Sequence, residues 1–171
     1  MANTTVRSAI DKLARLLVQE PEKGRAKSVP ATAVLDDGLK VQVTGQHGEQ
    51  VSTDLSPALG GTGSGPNPGW LLRAAMASCH ATVIAMRAAH TGVVLTRLEV
   101  TVSSESDVRG MLGTDDGVSA GLSGLRTHVK IGALNAPAGQ LRQIVQWADE
   151  HSPVGCTIRQ SPANAIEIEV L

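Results

Sequence analysis

The chain carries two thiols, Cys79 and Cys156. A cysteine attacks an electrophile such as a peroxide oxygen only as thiolate. An unperturbed thiol ionises near about pH 8.5, so only a few per cent is thiolate at neutral pH. A cation close in space must raise that fraction. Arg73 lies six residues before Cys79, and at about 100° per residue it sits well round a helix from it. His80 is the next residue and points away. Arg25, Arg97, Arg126 and Arg159 reach Cys79 only through the tertiary fold or a second subunit. Against this chemistry stands plain packing, because free cysteine is among the most buried residue types.

Other chemistries find less support. The histidines are His47, His80, His90, His128 and His151, and none forms the i, i+4 pair of a helical metal site. A site built from Cys79, Cys156 and one histidine stays open on residue type alone. A Cys-His hydrolase needs a positioned base and an oxyanion hole, and nothing in the chain marks either. Asp115-Asp116-Gly117 lacks the ligand count of a calcium loop and reads as a solvated turn. The run from Gly60 to Gly69 holds five glycines, but no Gly-Lys-Ser or Gly-Lys-Thr closes it as a phosphate loop would. It reads as a mobile connection leading into a helix, placed where it could gate Cys79.

The elements that position these residues follow from periodicity. Ala9, Ile10, Leu13, Leu16 and Leu17 recur at helical spacing, and Glu20-Pro21 ends that helix. Residues 22–25 read as a polar loop. Ala31–Val34 and Leu39–Val43 read as strands around Asp36-Asp37-Gly38, with a third strand over Gln50–Leu55. Trp70–His90 reads as a long Ala-rich helix ended by Gly92. Leu72, Ala75, Met76, Cys79, Val83 and Met86 fall on one face, and Arg73, His80 and Arg87 form a separate polar stripe. Leu95–Ser103 and Leu125–Ile131 alternate as half-buried strands and should pair. Residues 104–124 are acidic and Gly-rich, too full of breakers for regular structure. Pro137 starts a helix with Leu141, Ile144, Val145 and Ala148 on one face. Ser152-Pro153 interrupts it, and Ala165–Val170 reads as a closing strand. Helices and strands are segregated rather than alternating, which is an α+β class with antiparallel sheet.

Composition narrows the partners. The 171 residues carry 15 Lys and Arg against 16 Asp and Glu, which argues against binding nucleic acid or an anionic membrane through bulk positive charge. Charged residues make up 18%, below the roughly 25% of soluble domains, as in chains that hide surface in an oligomer. Met1–Glu20 mixes charge through its apolar positions, unlike a signal peptide, and Arg73, His80 and Arg87 interrupt the longest apolar stretch. A cytoplasmic address is therefore expected. There, Cys79 and Cys156 would pair only transiently.

Taken together, Gly60-Gly61, Pro66-Asn67-Pro68, Leu71-Leu72-Arg73-Ala74-Ala75 and Ser78-Cys79, followed by two strands and a helix ending in Ser152-Pro153-Val154, resemble the OsmC/Ohr family. The resemblance runs from Thr32 to Val170. Residues 106–113, with His151-Ser152-Pro153-Val154, are similar to a divergent OsmC-like subgroup. The resemblance implies an OsmC-like α+β fold in which two long central helices pack with antiparallel sheet in an intertwined homodimer. It divides the chain into an N-terminal helix and linker, 1–24, and an OsmC-like domain, 25–171. It implies a cytoplasmic, thiol-dependent reductase of organic hydroperoxides or hydrogen peroxide in oxidative-stress defence. Its partners would be a small-molecule peroxide and a dithiol reductant, with no cofactor and no metal.

Residue by residue, Cys79 takes the place of the peroxide-attacking cysteine. The family's glutamate after the helix-starting proline is Gly69 here, and its resolving cysteine is Ser152. Cys156, one helical turn further on, is then the candidate resolver, with a resting gap expected to be too long for a disulfide. Arg25 is the nearest match to the thiolate-stabilising arginine, although a loop-by-loop alignment equally places Gln42 there. Cys79 would be the more reactive thiol provided a cation lies beside it. The competing expectation is a non-catalytic OsmC-like protein that binds a small hydrophobic ligand at the dimer interface.

Overall fold

Helix α1 spans Ala2–Gln19 and stops before Pro21, which opens a 3-10 turn at Pro21–Gly24. Strands β1 (Ala31–Asp37), β2 (Lys40–Gly45) and β3 (Gln50–Thr53) follow, then a 3-10 turn at Pro57–Leu59 and helix α2, Pro68–His90. Strand β4 (Leu95–Glu105), the one-turn helix α3 (Val108–Leu112) and strand β5 (Ser123–Ala133) lead to helices α4 (Ala138–Glu150) and α5 (Pro153–Gln160). This computed structural model describes residues 2–171, with side chains from Thr4 onward. Met1 lies outside the described residues. The α+β class with antiparallel sheet is the one expected from the segregated pattern.

The chain forms two compact units. One comprises Ser8–Ala75 and Val102–Arg126. Its sheet is a meander in the order β1-β2-β3, both pairs antiparallel, with Val34 opposite Gln42 and Val43 opposite Val51. Gly38 turns the first hairpin at φ 55°, a left-handed conformation that glycine adopts without a Cβ penalty.

The glycine-rich run is tied down rather than loose. Asp54, only 2% exposed at the end of β3, accepts hydrogen bonds from the backbone N–H groups of Leu55, Thr62 and Ser64 and from the hydroxyls of Thr62 and Ser64. A Cβ on Gly61 would lie 2.1 Å from the Leu55 carbonyl oxygen, so only glycine fits there. The expected mobile gate is therefore a loop cinched around one carboxylate. Asn67 then caps the start of α2 by accepting from the Trp70 N–H at 2.8 Å.

The excursion between β4 and β5 is also more regular than its composition suggests. Asp107 caps α3 by accepting from the Arg109 N–H, and its carboxylate also pairs with the Arg109 guanidinium. A local cap was enough to start a turn that the surrounding glycines disfavour.

The other unit comprises residues 2–7, Met76–Thr101 and Thr127–Leu171. Its core is Ile84, Ala88, Val93, Leu141, Ile144 and Ala148, with Val83, Leu98, Val100, Val129 and Ile131 packed against it. Strands β4 and β5 run antiparallel: Val94 accepts from the Leu134 N–H, and Glu99 pairs with Lys130. The apolar face expected of α4 is the buried one, through Leu141, Ile144 and Ala148.

The face expected of α2 is buried only in part, at Met76 and to a lesser degree at Cys79 and Val83. The buried positions of the helix are Met76, His80, Ile84, Ala88 and Ala89, while Leu72 and Met86 are exposed. His80 leaves the supposed polar stripe and joins an i, i+4 ladder that faces inward. Residues 161–171 form no strand; Ile166, Ile168 and Val170 stay more than three-quarters exposed. Their alternation fits a strand, but among the described residues it has no partner strand. Among the described residues no helix is long and apolar enough to cross a membrane.

Candidate thiol site

Ser152 and Pro153 explain why a second helix starts after α4. The Ser152 backbone is extended, its Oγ accepts from the Gly155 N–H at 3.2 Å, and Pro153 occupies the first helical position, where its missing N–H costs nothing. Ser152 is fully buried, and its single hydroxyl proton is directed at Cys79: Oγ–H donates to Sγ at 3.2 Å. The half-buried thiol of α2 thus meets the N-terminus of α5 through one buried hydroxyl. The capping bond from the Gly155 N–H polarises that hydroxyl toward greater donor strength.

His80 sits beside this contact, 2% exposed. Its Nδ1 lies 2.8 Å from the Met76 carbonyl oxygen, and its Nε2 lies 3.0 Å from Asp149 Oδ1. Both partners are acceptors, so the ring satisfies both only when each nitrogen carries a proton. Asp149 also accepts from Arg159, at Oδ1 from Nη1 (3.1 Å) and at its backbone oxygen from Nη2 (2.5 Å). Burial pushes the Asp149 carboxyl up, but the hydrogen bonds and charges of His80 and Arg159 outweigh it and hold the carboxyl below its ordinary value.

The guanidinium that reaches a thiol reaches Cys156. Arg159 Nη2 donates to Cys156 Sγ at 3.4 Å, and the Cys156 thiol donates to the Glu150 carbonyl at 3.3 Å. The bonds to Cys156 and Asp149 raise the Arg159 guanidinium above its usual range. Arg159, one of the four arginines open as a neighbour of Cys79, thus stands beside the second cysteine. Among the described residues, the hydrogen-bond donor on Cys79 Sγ is neutral Ser152. Both cysteines are free.

The packing leaves little slack. A Cβ on Gly155 would lie 3.0 Å from His80 Cε1 and 3.2 Å from Ser152 Oγ. Alanine normally stabilises a helix over glycine by about 1 kcal/mol. Here the imidazole is held at both nitrogens and cannot give way, so Gly155→Ala should destabilise the protein by about 1 kcal/mol net. Chemical denaturation checks this, and a gain in stability would show the ring to be mobile.

The structure joins Cys79 to Ser152 and Cys156 to Arg159. Arg25 belongs to the other unit, where its backbone closes the turn at Pro21–Gly24, and Gln42 lies in the same unit on β2, accepting from Ser52. Gly69 stands in the first turn of α2, and a Cβ there would meet Asn67 Oδ1 at 3.2 Å. The cap that Asn67 makes thus crowds the position that the resemblance matches to a glutamate. His80, Asp149 and the link from Arg159 to Cys156 were not foreseen. The i, i+4 spacing of Met76, His80 and Ile84 was the one available signal. Among the described residues no cluster of three or more His, Cys, Asp or Glu could hold a metal ion.

The family model described as OsmC-like protein matches residues 61–167, a stretch that includes α2, both cysteines and Ser152. The chain belongs to the OsmC-like family. Among curated proteins none matches the sequence. Among solved structures, the OsmC-like protein from Mycoplasma pneumoniae superposes with a TM-score of 0.67 at 17% identity, covering 79% of this chain and 89% of that one. An organic hydroperoxide resistance protein OsmC from Legionella pneumophila gives 0.54 at 21% identity, covering 79% and 91%. The organic hydroperoxide resistance protein OhrB of Bacillus subtilis gives 0.52 at 18% identity, covering 78% and 91%. At these identities the likeness is one of OsmC-like fold.

Proposed function

We propose that this OsmC-like protein is a thiol-dependent reductase of organic hydroperoxides or hydrogen peroxide that serves oxidative-stress defence. The observation that carries the reading is the hydrogen bond from buried Ser152 to Cys79 Sγ. A donor aimed at sulfur favours thiolate over thiol, and the α5 N-terminus behind it favours negative charge. The Cys79 thiolate attacks one peroxide oxygen, the O–O bond breaks, and the alkoxide (hydroxide from hydrogen peroxide) leaves to take up a proton. Cys79 is left as sulfenic acid. Cys156 then resolves it, and a dithiol reductant returns both thiols.

The reading places the protein in the cytoplasm as a homodimer. Every residue of β1 is exposed, Val34 and Leu35 by about three-fifths, and a second copy would cover such surface. Arg25 or Gln42 could then face Cys79 from a partner subunit.

The test is one equivalent of an organic hydroperoxide added to the reduced protein. The expected outcome is loss of two thiols per chain and an intramolecular Cys79–Cys156 disulfide, both abolished by Cys79→Ser. Oxidised Cys79 with Cys156 still free would sink the two-cysteine mechanism, and no oxidation of Cys79 would sink the peroxidase. The second reading, a binding protein for a small hydrophobic ligand, rests on a cavity of about 710 Å³ lined by Val129, Ile131, Leu141 and Val145 and also by Arg97, Lys130 and Arg142. Inert thiols would then leave that reading standing.

A further inference from the structure

Arg159 has two neighbours that do different things for it. Asp149 takes one N–H on its carboxylate and another on its backbone oxygen, which fixes the plane of the guanidinium. The Nη2 that meets the backbone oxygen also meets Cys156 Sγ at 3.4 Å. Asp149 is itself steadied from α2 by His80, whose ring is buried and bonded at both nitrogens. The series His80–Asp149–Arg159–Cys156 therefore joins the residue next to one cysteine to the sulfur of the other. A carboxylate and a guanidinium, those of Asp149 and Arg159, lie at its centre.

We propose that Asp149 and Arg159 are positioning residues for the second thiol, holding a guanidinium N–H on Cys156 Sγ so that this sulfur attacks as thiolate. This rests on the reading of Cys79 as the cysteine oxidised by peroxide. In the step concerned, the Cys156 thiolate attacks the sulfur of the Cys79 sulfenic acid. The S–S bond forms, the S–O bond breaks, and hydroxide leaves to become water. The peroxide has supplied the oxidising equivalent, and the two thiols have become one disulfide. On ionisation, Cys156 gives up its bond to the Glu150 carbonyl and keeps the bond from Arg159, so the guanidinium favours the reactive form. The bland alternative is that Arg159 only caps the C-terminus of α4.

Alkylation of Cys156 separates the two without needing turnover. In a Cys79→Ser background, the alkylation rate at pH 7 should fall about five- to tenfold with Arg159→Gln and with Asp149→Asn, and recover with Arg159→Lys. Folding of each variant is checked by its thermal transition. Should a variant fail to fold, the parent chain carries the test: Cys156 should alkylate several-fold faster than a cysteine in an unstructured peptide. Parent-like rates in folded Arg159→Gln, or a Cys156 no faster than the free peptide, would overturn the proposal. Failure of hydroperoxide to oxidise Cys79 would instead strike the functional reading and leave the alkylation result intact.

Discussion

Replacing Ser152 by cysteine should convert the Cys79 contact into a disulfide within a single peroxide equivalent. The serine oxygen already lies 3.2 Å from Cys79 Sγ. A disulfide needs about 2.05 Å, and the longer C–S bond of the introduced side chain supplies part of the difference. The expected product of Ser152→Cys is a bridge between positions 79 and 152 with Cys156 still free, read by peptide mapping. Persistent sulfenic acid at Cys79 in that variant would mean that the two side chains diverge in solution. The companion Ser152→Ala removes the donor and the helix cap together. It should cost about 1 kcal/mol of stability, the usual worth of an N-cap, and slow Cys79 oxidation several-fold.

The second large effect concerns Asp54. Hydrogen bonds from the Thr62 hydroxyl, the Ser64 and Leu55 N–H groups and the Ser64 hydroxyl outweigh the opposing effect of burial and hold its carboxyl far below the ordinary range. A carboxyl depressed on folding contributes stability that is present above the unfolded value, about pH 4, and is lost as pH falls toward the folded value. The melting temperature should therefore drop on acidification below about pH 4. Asp54→Ala should lower the neutral-pH melting temperature by roughly 5–10 °C, because the part-buried N–H groups of Leu55, Thr62 and Ser64 lose the one carboxylate that gathers them. Asp54→Asn should fall between, and its acid slope should be shallower than the parent's. A parent-like slope in Asp54→Asn would assign acid sensitivity to other carboxylates.

Much of the fold is legible in the sequence wherever one local rule dominates. Helix α1 ends where Pro21 ends it, the meander turns where Gly38 permits, and α4 buries the stripe that its spacing advertises. Legibility fails where a distant partner decides. His80 shares a seven-residue spacing with Arg73 and Arg87, and its burial draws on Asp149, 69 residues away, for the ring nitrogen that Met76 does not take. Arg87 lies over the Trp147 ring, a contact no local pattern announces. The alternation of Ile166, Ile168 and Val170 is a strand signal, but a strand also needs a neighbour, and alternation carries no information about one. For the site, Cys79 and Ser152 were marked by family position. The placement of Arg159 on Cys156 instead came from the corner between α4 and α5.

That corner also bears on the order in which the molecule is made. The β1-β2-β3 meander and the α4–α5 turn join residues close in sequence, so their loops close at small entropic cost. The bond from Ser152 to Cys79 spans 73 residues and that from His80 to Asp149 spans 69. Contacts of such separation form late, because the intervening chain must be ordered before they reward it. Until that long-range bond closes during refolding, Cys79 is a naked thiol. An oxidant added in that interval meets a cysteine with no hydroxyl upon it, and the damage it does will differ from the chemistry of the finished protein.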